Sequence, residues 1–263
     1  MHITSRDNSL LRQARAVRDG KTKDLIFVEG LRLCEEAFRS KLSIEAIIYS
    51  EQLAQKERAA ATIAQLAGVA KRVVTVSEKL LESVSYTKTP QGVVALAVRP
   101  ESSEFVLSNL GEHPLIVVMH RVNNPVNVGA IIRTAEAAGA SGVIATLNTS
   151  DPFSPKALRG AMGSAFRLPV WAGPTYDDVI RWCESRKIET VSADAESPVP
   201  FTDIDWTLSR ALIVGPESTG LSNSELEAAD VSVCIPMRGP VESLNVSVAT
   251  GILLFEAARQ RRS

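Results

Sequence analysis

Apolar positions along this chain fall into two alternating rhythms. Short runs dominated by Val, Ile, Leu and Ala read as strands: Leu25 to Val28, Ile44 to Tyr49, Arg72 to Val76, Gly92 to Val98, Leu115 to His120 and Gly142 to Leu147, then Thr190 to Ala193, Ala211 to Val214 and Val231 to Ile235. Between them lie stretches with helical spacing or composition: Asp7 to Asp19, Leu31 to Ser40, Ala54 to Ala67, a short one from Ser77, Val128 to Ala138 and Pro155 to Gly163. Strands alternating with helices predict an α/β architecture. The later strands are apolar almost throughout, as in a parallel sheet covered on both faces. The alternation breaks once, over Pro100 to Pro114 (PESSEFVLSNLGEHP), where Pro, Ser, Gly and acidic residues gather. The pattern therefore predicts a smaller α/β domain at residues 1–99, a linker at 100–113 and a parallel-sheet domain at 114–263.

A length of 263 residues suits two domains, and 45% hydrophobic with 22% charged residues suits ordinary globular folding. No run approaches the roughly 18 apolar residues of a membrane span. The start, MHITSRDNSLLRQ, lacks the apolar core of a signal peptide. Cys34, Cys183 and Cys234 are widely separated, with no CxxC or Cys/His cluster. The expectation is a reduced, cytoplasmic protein with structural thiols and no metal site. The net charge of −1 conceals an asymmetry, since residues 1–99 carry 16 Lys and Arg against 11 Asp and Glu. A positive first part suits a polyanion such as RNA, although a solvated charged surface explains it equally well.

Open parallel sheets bind ligands at the carboxyl ends of their strands, and three loops fall there. The first is Asn123-Asn124-Pro125-Val126-Asn127-Val128-Gly129, opening a helix that carries Arg133. The second is Gly215-Pro216-Glu217-Ser218-Thr219-Gly220-Leu221, and the third runs from Ile235 through Met237 to Ser243-Leu244-Asn245. Each has an ordinary reading: Asn127 or Ser243 as a helix cap, Arg133 as half of a surface salt bridge. A Walker lysine, GxGxxG, GxSxG and a histidine-based triad are all missing, which disfavours NTP, dinucleotide and triad chemistry. His2, His113 and His120 are isolated and read as structural or solvated.

Taken together, NNPVNVGAIIRTAEAAGA, IVGPESTGLS and IPMRGPVESLNVSVATGILLFEAAR resemble the three motifs of the SpoU/TrmH-type (SPOUT) RNA 2′-O-ribose methyltransferases. SPKALRGAMGSAFRLPV is similar to that family's second helix and strand, while FVEGLRL and TKTPQGVVAL resemble its appended L30e-like substrate-binding domain. The likeness spans nearly the whole chain. It implies a C-terminal domain whose last segment threads a deep trefoil knot, S-adenosylmethionine as cofactor, a homodimer formed through the knotted domain, and no metal. It implies cofactor contacts at Gly215, Glu217, Gly220, Ile235, Met237 and Leu244. It further implies catalytic roles for Asn127, Arg133, Glu217, Ser243 and Asn245, with Arg133 at the reacting hydroxyl. A guanidinium with a pKa above about 12 is a poor base, so fixing a phosphate or stabilising an alkoxide is the alternative role for Arg133. Pro216 departs from the polar residue of the family pattern. The implied substrate is ribosomal RNA ahead of transfer RNA, and a non-catalytic RNA-binding relative is the competing reading.

Overall fold

The computed structural model describes residues 1–240 and 243–262, which divide into two compact units. One comprises residues 1–100 with 153–167; the other comprises 101–152 and the chain from 168 onward.

The first unit runs β1 (His2–Ile3), α1 (Ser9–Arg18), β2 (Leu25–Glu29), α2 (Leu31–Arg39), β3 (Ile44–Ser50), α3 (Glu51–Ala54), α4 (Glu57–Ala67), β4 (Arg72–Val76), α5 (Glu78–Val84) and β5 (Val93–Val98). Its sheet has the order β1-β4-β3-β5-β2, with β5 antiparallel to both neighbours. Asn8 caps α1 through Leu10 N, and Leu10, Leu11, Ala14 and Val17 turn one apolar face into a core shared with Phe27, Ile48, Val74 and Leu96. The helix expected from Ala54 to Ala67 begins at Glu57 as α4, and the short α3 precedes it. Ser50 caps the short α3 through Leu53 N, and Lys56, in extended conformation, restarts the chain as α4.

Glu29, 7% exposed, closes β2. Its carboxylate accepts the Tyr86 and Thr87 amides at 2.9 and 3.2 Å and the Thr87 hydroxyl at 2.7 Å. A buried carboxylate is tolerated when hydrogen-bonded in this way, and here it holds the loop that enters β5. Arg18 braces the same loop by donating to the carbonyls of Ser83, Val84 and Ser85.

The second unit contains β6 (Leu115–Met119), α6 (Pro125–Ala137) and β7 (Gly142–Ala145). The chain then forms α7 (Pro155–Ala161) before β8 (Val170–Ala172), α8 (Tyr176–Ser185), β9 (Glu189–Ala193), β10 (Arg210–Val214), α9 (Asn223–Glu227), β11 (Val231–Val233) and α10 (Val246–Gln260). All pairings in this six-stranded sheet, ordered β11-β9-β10-β6-β7-β8, are parallel. Every residue of β6, β7 and β10 is buried, as the near-continuous apolar runs required. The stretch 100–113 also contributes to this core. A 3₁₀ turn at Glu104–Leu107 puts Leu107, fully buried, among Ile116, Val118, Ile144 and Val179, in the space that Gly142 leaves by having no side chain.

Helix α7 packs on β2 and belongs to the first unit. Arg167 pairs with Glu36 at 2.5 Å, and the Arg99 guanidinium lies 4.7 Å from the Phe153 ring centre. The chain thus crosses between units three times, near residues 100, 152 and 167.

Candidate active site

Strand order places the site. From β6 the chain steps outward through β7 to β8, then returns to the other side of β6 for β9 and β10. The direction of winding reverses between the adjacent strands β6 and β10, where open α/β sheets form ligand crevices. The loops leaving β9, β10 and β11 and the head of α10 enclose a cavity of about 460 Å³ there.

Helix α6 begins three residues before the expected Val128. Asn124 caps it through Val126 N at 3.0 Å, and Pro125 occupies the first position, where its missing N–H costs nothing. Asn127 is therefore not the cap. It lies inside the first turn, 7% exposed, with its side chain available for tertiary contact. Its Nδ2 donates to Glu217 Oε1 at 2.8 Å, and its Oδ1 accepts Asn245 Nδ2 at 3.3 Å. Asn245, rather than Ser243, caps α10, its Oδ1 accepting Ser247 N at 2.9 Å and the Ser247 hydroxyl at 2.6 Å. A single chain of hydrogen bonds thus joins the loops of all three motifs.

Gly215, Glu217, Gly220, Ile235, Met237, Ser243 and Leu244 all line the cavity. The loop after β10 folds back on itself, with Gly220 N donating to Pro216 O at 3.0 Å. A Cβ at Gly215 would lie 2.9 Å from Leu221 N, so only glycine permits this fold, and Gly220 sits in the left-handed region at φ +64°. Pro216 lines the cavity through a residue that has no side-chain donor. Val241 and Glu242, between Met237 and Ser243, lie outside the described residues.

Arg133 is exposed on α6, is not part of the cavity wall, and has no hydrogen-bond or ion-pair partner among the described residues. It is the one expected site residue that the structure does not bring to the others. Asn127 and Asn245 stand behind the wall and reach it through Glu217. Sequence reasoning missed the far wall, Ala193-Asp194-Ala195-Glu196, which leaves β9 without any motif. The signal was its position, because β9 pairs with β10 and ends at the same edge. Asp194, Glu196 and Glu217 make the described wall acidic, with no Lys, Arg or His on it. Val214, Val246, Ala249 and Leu253 make its apolar part.

His120, at the end of β6, is 4% exposed. Its Nε2 lies 2.9 Å from Glu225 Oε1 and its Nδ1 3.0 Å from the Thr146 hydroxyl, while its ring meets Tyr176 edge-on at 4.8 Å. Because an ionised carboxylate only accepts, the neutral ring carries its proton on Nε2. Arg121, at φ +52°, donates to both Glu225 oxygens, and Ser222 N donates to Oε2. Glu225 consequently binds the β6–α6 loop to the loop leaving β10. Burial holds the His120 pKa below its usual value despite the adjacent Glu225 charge. The Cys34 and Cys183 thiols, pushed up to about 12 by burial, are inert.

A parallel α/β sheet with an acidic and apolar cavity at its switch point, flanked by paired asparagines, is the architecture of a small-ligand site. Residues 114–255 match the SpoU rRNA Methylase family, and residues 9–95 match the MRM3-like substrate binding domain. A 23S rRNA (uridine(2479)-2′-O)-methyltransferase of Streptomyces viridochromogenes is 30% identical over 99% of this chain and 93% of its own. The 23S rRNA (guanosine(2553)-2′-O)-methyltransferase RlmP of Bacillus subtilis is 31% identical over 89% of both chains. The crystal structure of an AdoMet-bound rRNA methyltransferase from Sinorhizobium meliloti superposes with a TM-score of 0.84, at 33% identity over 98% of this chain and 97% of that one. The chain belongs to the SpoU rRNA methylase family.

The residues of the cavity fit the AdoMet that the Sinorhizobium meliloti structure holds, with an apolar part for a purine, carboxylates for a sulfonium cation, and the head of α10 for a carboxylate. No group of His, Cys, Asp or Glu among the described residues has the arrangement of a metal site.

His120 predicts a pH dependence. Unfolded chains take up a proton near the usual histidine value of about 6.5, which the buried ring resists, so stability is complete above that pH and declines as pH falls through it. Melting temperatures between pH 7.5 and 5.5 should fall, and His120→Asn should flatten that decline; an unchanged slope in the variant would remove His120 as its source.

Proposed function

We propose that this chain transfers a methyl group from S-adenosylmethionine to a ribose 2′-hydroxyl of ribosomal RNA. The observation that carries the reading is one cavity lined by the second and third motif loops, to which the first is joined by the Asn245–Asn127–Glu217 hydrogen bonds. Gly215, Gly220, Ile235, Met237 and Leu244 would hold the cofactor, and Glu217 and Ser243 would face the reacting ribose. The cofactor supplies the activated methyl on a sulfonium leaving group. The protein's part is to exclude water, align the hydroxyl and manage its proton, and alignment alone is worth roughly 7–11 kcal/mol. The 1–99 domain would select the RNA, helped by its excess of basic residues. The same reading places the protein in the cytoplasm. Binding should be measurable directly, as a rise in melting temperature with S-adenosylmethionine or its demethylated product. No rise at millimolar ligand would contradict the reading.

The homodimer belongs to this proposal, as does the trefoil knot, whose course would include residues outside those described. Helices α6 and α10 run side by side in the same direction, since Asn127 meets Asn245 and Thr134 meets Gly251. Val126 on one, and Val248 and Phe255 on the other, are 44%, 51% and 50% exposed. Two copies meeting on this apolar face would cover it and carry Arg133 to the partner's cavity, which explains why it is absent from its own. Arg133→Ala and Ser243→Ala, each inactive alone, should recover about a quarter of parental turnover when co-refolded in equal amounts, because half of the dimers then hold one intact site. No recovery would place Arg133 and Ser243 in the same chain's site.

A further inference from the structure

The first unit holds a polar cavity that the methyl-transfer chemistry leaves unused. Strands β3 and β4 are parallel and β5 is antiparallel to β3, so the ends of β3 and β4 and the start of β5 share one edge of the sheet. Ser50 closes β3, its amide donating to the Gly92 carbonyl at 2.9 Å. The single turn of α3, the first two turns of α5 and Pro90-Gln91-Gly92 then enclose about 220 Å³. Gly92 permits this closure: it sits at φ +83°, and a Cβ there would lie 2.9 Å from that of Leu53. The volume is below the roughly 300–1,000 Å³ of sites for drug-sized ligands and suits one flat ring system.

Two polar groups in this cavity have hydrogen-bonding capacity left over. Ser50 is 3% exposed and its Oγ accepts Leu53 N at 3.3 Å, while its own proton goes to no partner among the described residues. Glu78 Oε1 is buried and meets no donor among the described residues. A buried polar atom without a partner is costly, and one that lines a cavity marks the place for a ligand's donor. Leu53, Leu81 and Pro90 give the cavity its apolar surface. Glu78 and Glu82 disfavour an anion inside it, whereas the exposed Lys56, in no ion pair among the described residues, can meet one outside. The ligand so described is a flat ring with donors and an acceptor on one edge, carried on a phosphate backbone.

We propose that this cavity takes an unstacked guanine of the ribosomal RNA substrate. Glu78 accepts from the imino and amino N–H groups of the base, and Ser50 donates to its carbonyl oxygen. Guanine is the one RNA base with two adjacent donors beside an acceptor on its Watson–Crick edge, the edge by which proteins read splayed-out bases. Leu53 and Pro90 cover the ring, and Lys56 meets the adjoining phosphate. The inference rests on the ribosomal RNA reading above and deepens it, since the first unit then reads a base as well as charge.

The test uses the full-length protein, an unmodified ribosomal RNA transcript at fixed salt, and kethoxal, which modifies the Watson–Crick edge of unpaired guanine. The parent should shield one unpaired guanine that Glu78→Ala leaves reactive. RNA affinity should fall about tenfold or more in Glu78→Ala, in line with loss of a bidentate base contact. Glu78→Gln keeps the shape of the side chain but sets a donor against the guanine donors, and should fall likewise. S-adenosylmethionine affinity in both variants should stay within about threefold of the parent, which separates lost recognition from lost folding. Inosine, which lacks the amino group, at the shielded position should weaken binding by the parent and leave Glu78→Ala unaffected. Unchanged affinity and shielding in both variants, or an inosine effect of equal size in parent and Glu78→Ala, would overturn the proposal. A parent that binds ribosomal RNA no better than an unrelated RNA would instead sink the ribosomal RNA reading beneath it.

Discussion

The site depends on one constraint, the capping of α10 by Asn245. A helix start leaves orphan amides, and Asn245 Oδ1 satisfies one of them, Ser247 N. Doing so spends its acceptor and aims its donor at Asn127, which in turn aims its own donor at Glu217. A local requirement of helix geometry is thereby carried across the head of α6 to the loop leaving β10. Paired amides with forced orientation are a stiff connection, since reversing one would set donor against donor.

The surrounding fold serves to hold these loops at one level. Parallel pairing of β10 with both β6 and β9 ends three strands at one edge. Glu225 then ties the β6–α6 loop to the loop after β10 a second time, through His120, Arg121 and Ser222. The first unit uses the same device, a buried Glu29 bracing the loop into β5. In both units a carboxylate satisfied by several donors stabilises an irregular segment that backbone pairing alone could not hold.

Much of this was legible in the residues. The apolar runs located nine of the strands to within a residue or two and missed the short β1 and β8, and the unbroken character of the later runs announced a parallel sheet. Gly215 and Gly220, singled out as cofactor contacts, both line the cavity, and their loop doubles back on its own backbone. Caps were less legible. Asn124 and Asn127 are both good capping residues, and only Pro125 at the first helical position decides between them. Ser243 and Asn245 posed the same choice, settled by which one meets the α10 amides. The Asp194–Glu196 wall carried no motif because its contribution is one of position at the sheet edge. The packing of α7 with the first unit arises from contacts between residues distant in sequence, such as Arg167 with Glu36, that no local pattern encodes.

The central claim is that this cavity, organised through Asn127, methylates a ribose of ribosomal RNA. The most direct measurement is a map of 2′-O-methyl groups in ribosomal RNA from cells lacking the gene, set beside cells that carry the parental chain or Asn127→Ala. The account predicts one methylated ribose lost on deletion, restored by the parental chain and not by Asn127→Ala. An unchanged map on deletion, or full restoration by Asn127→Ala, would contradict it.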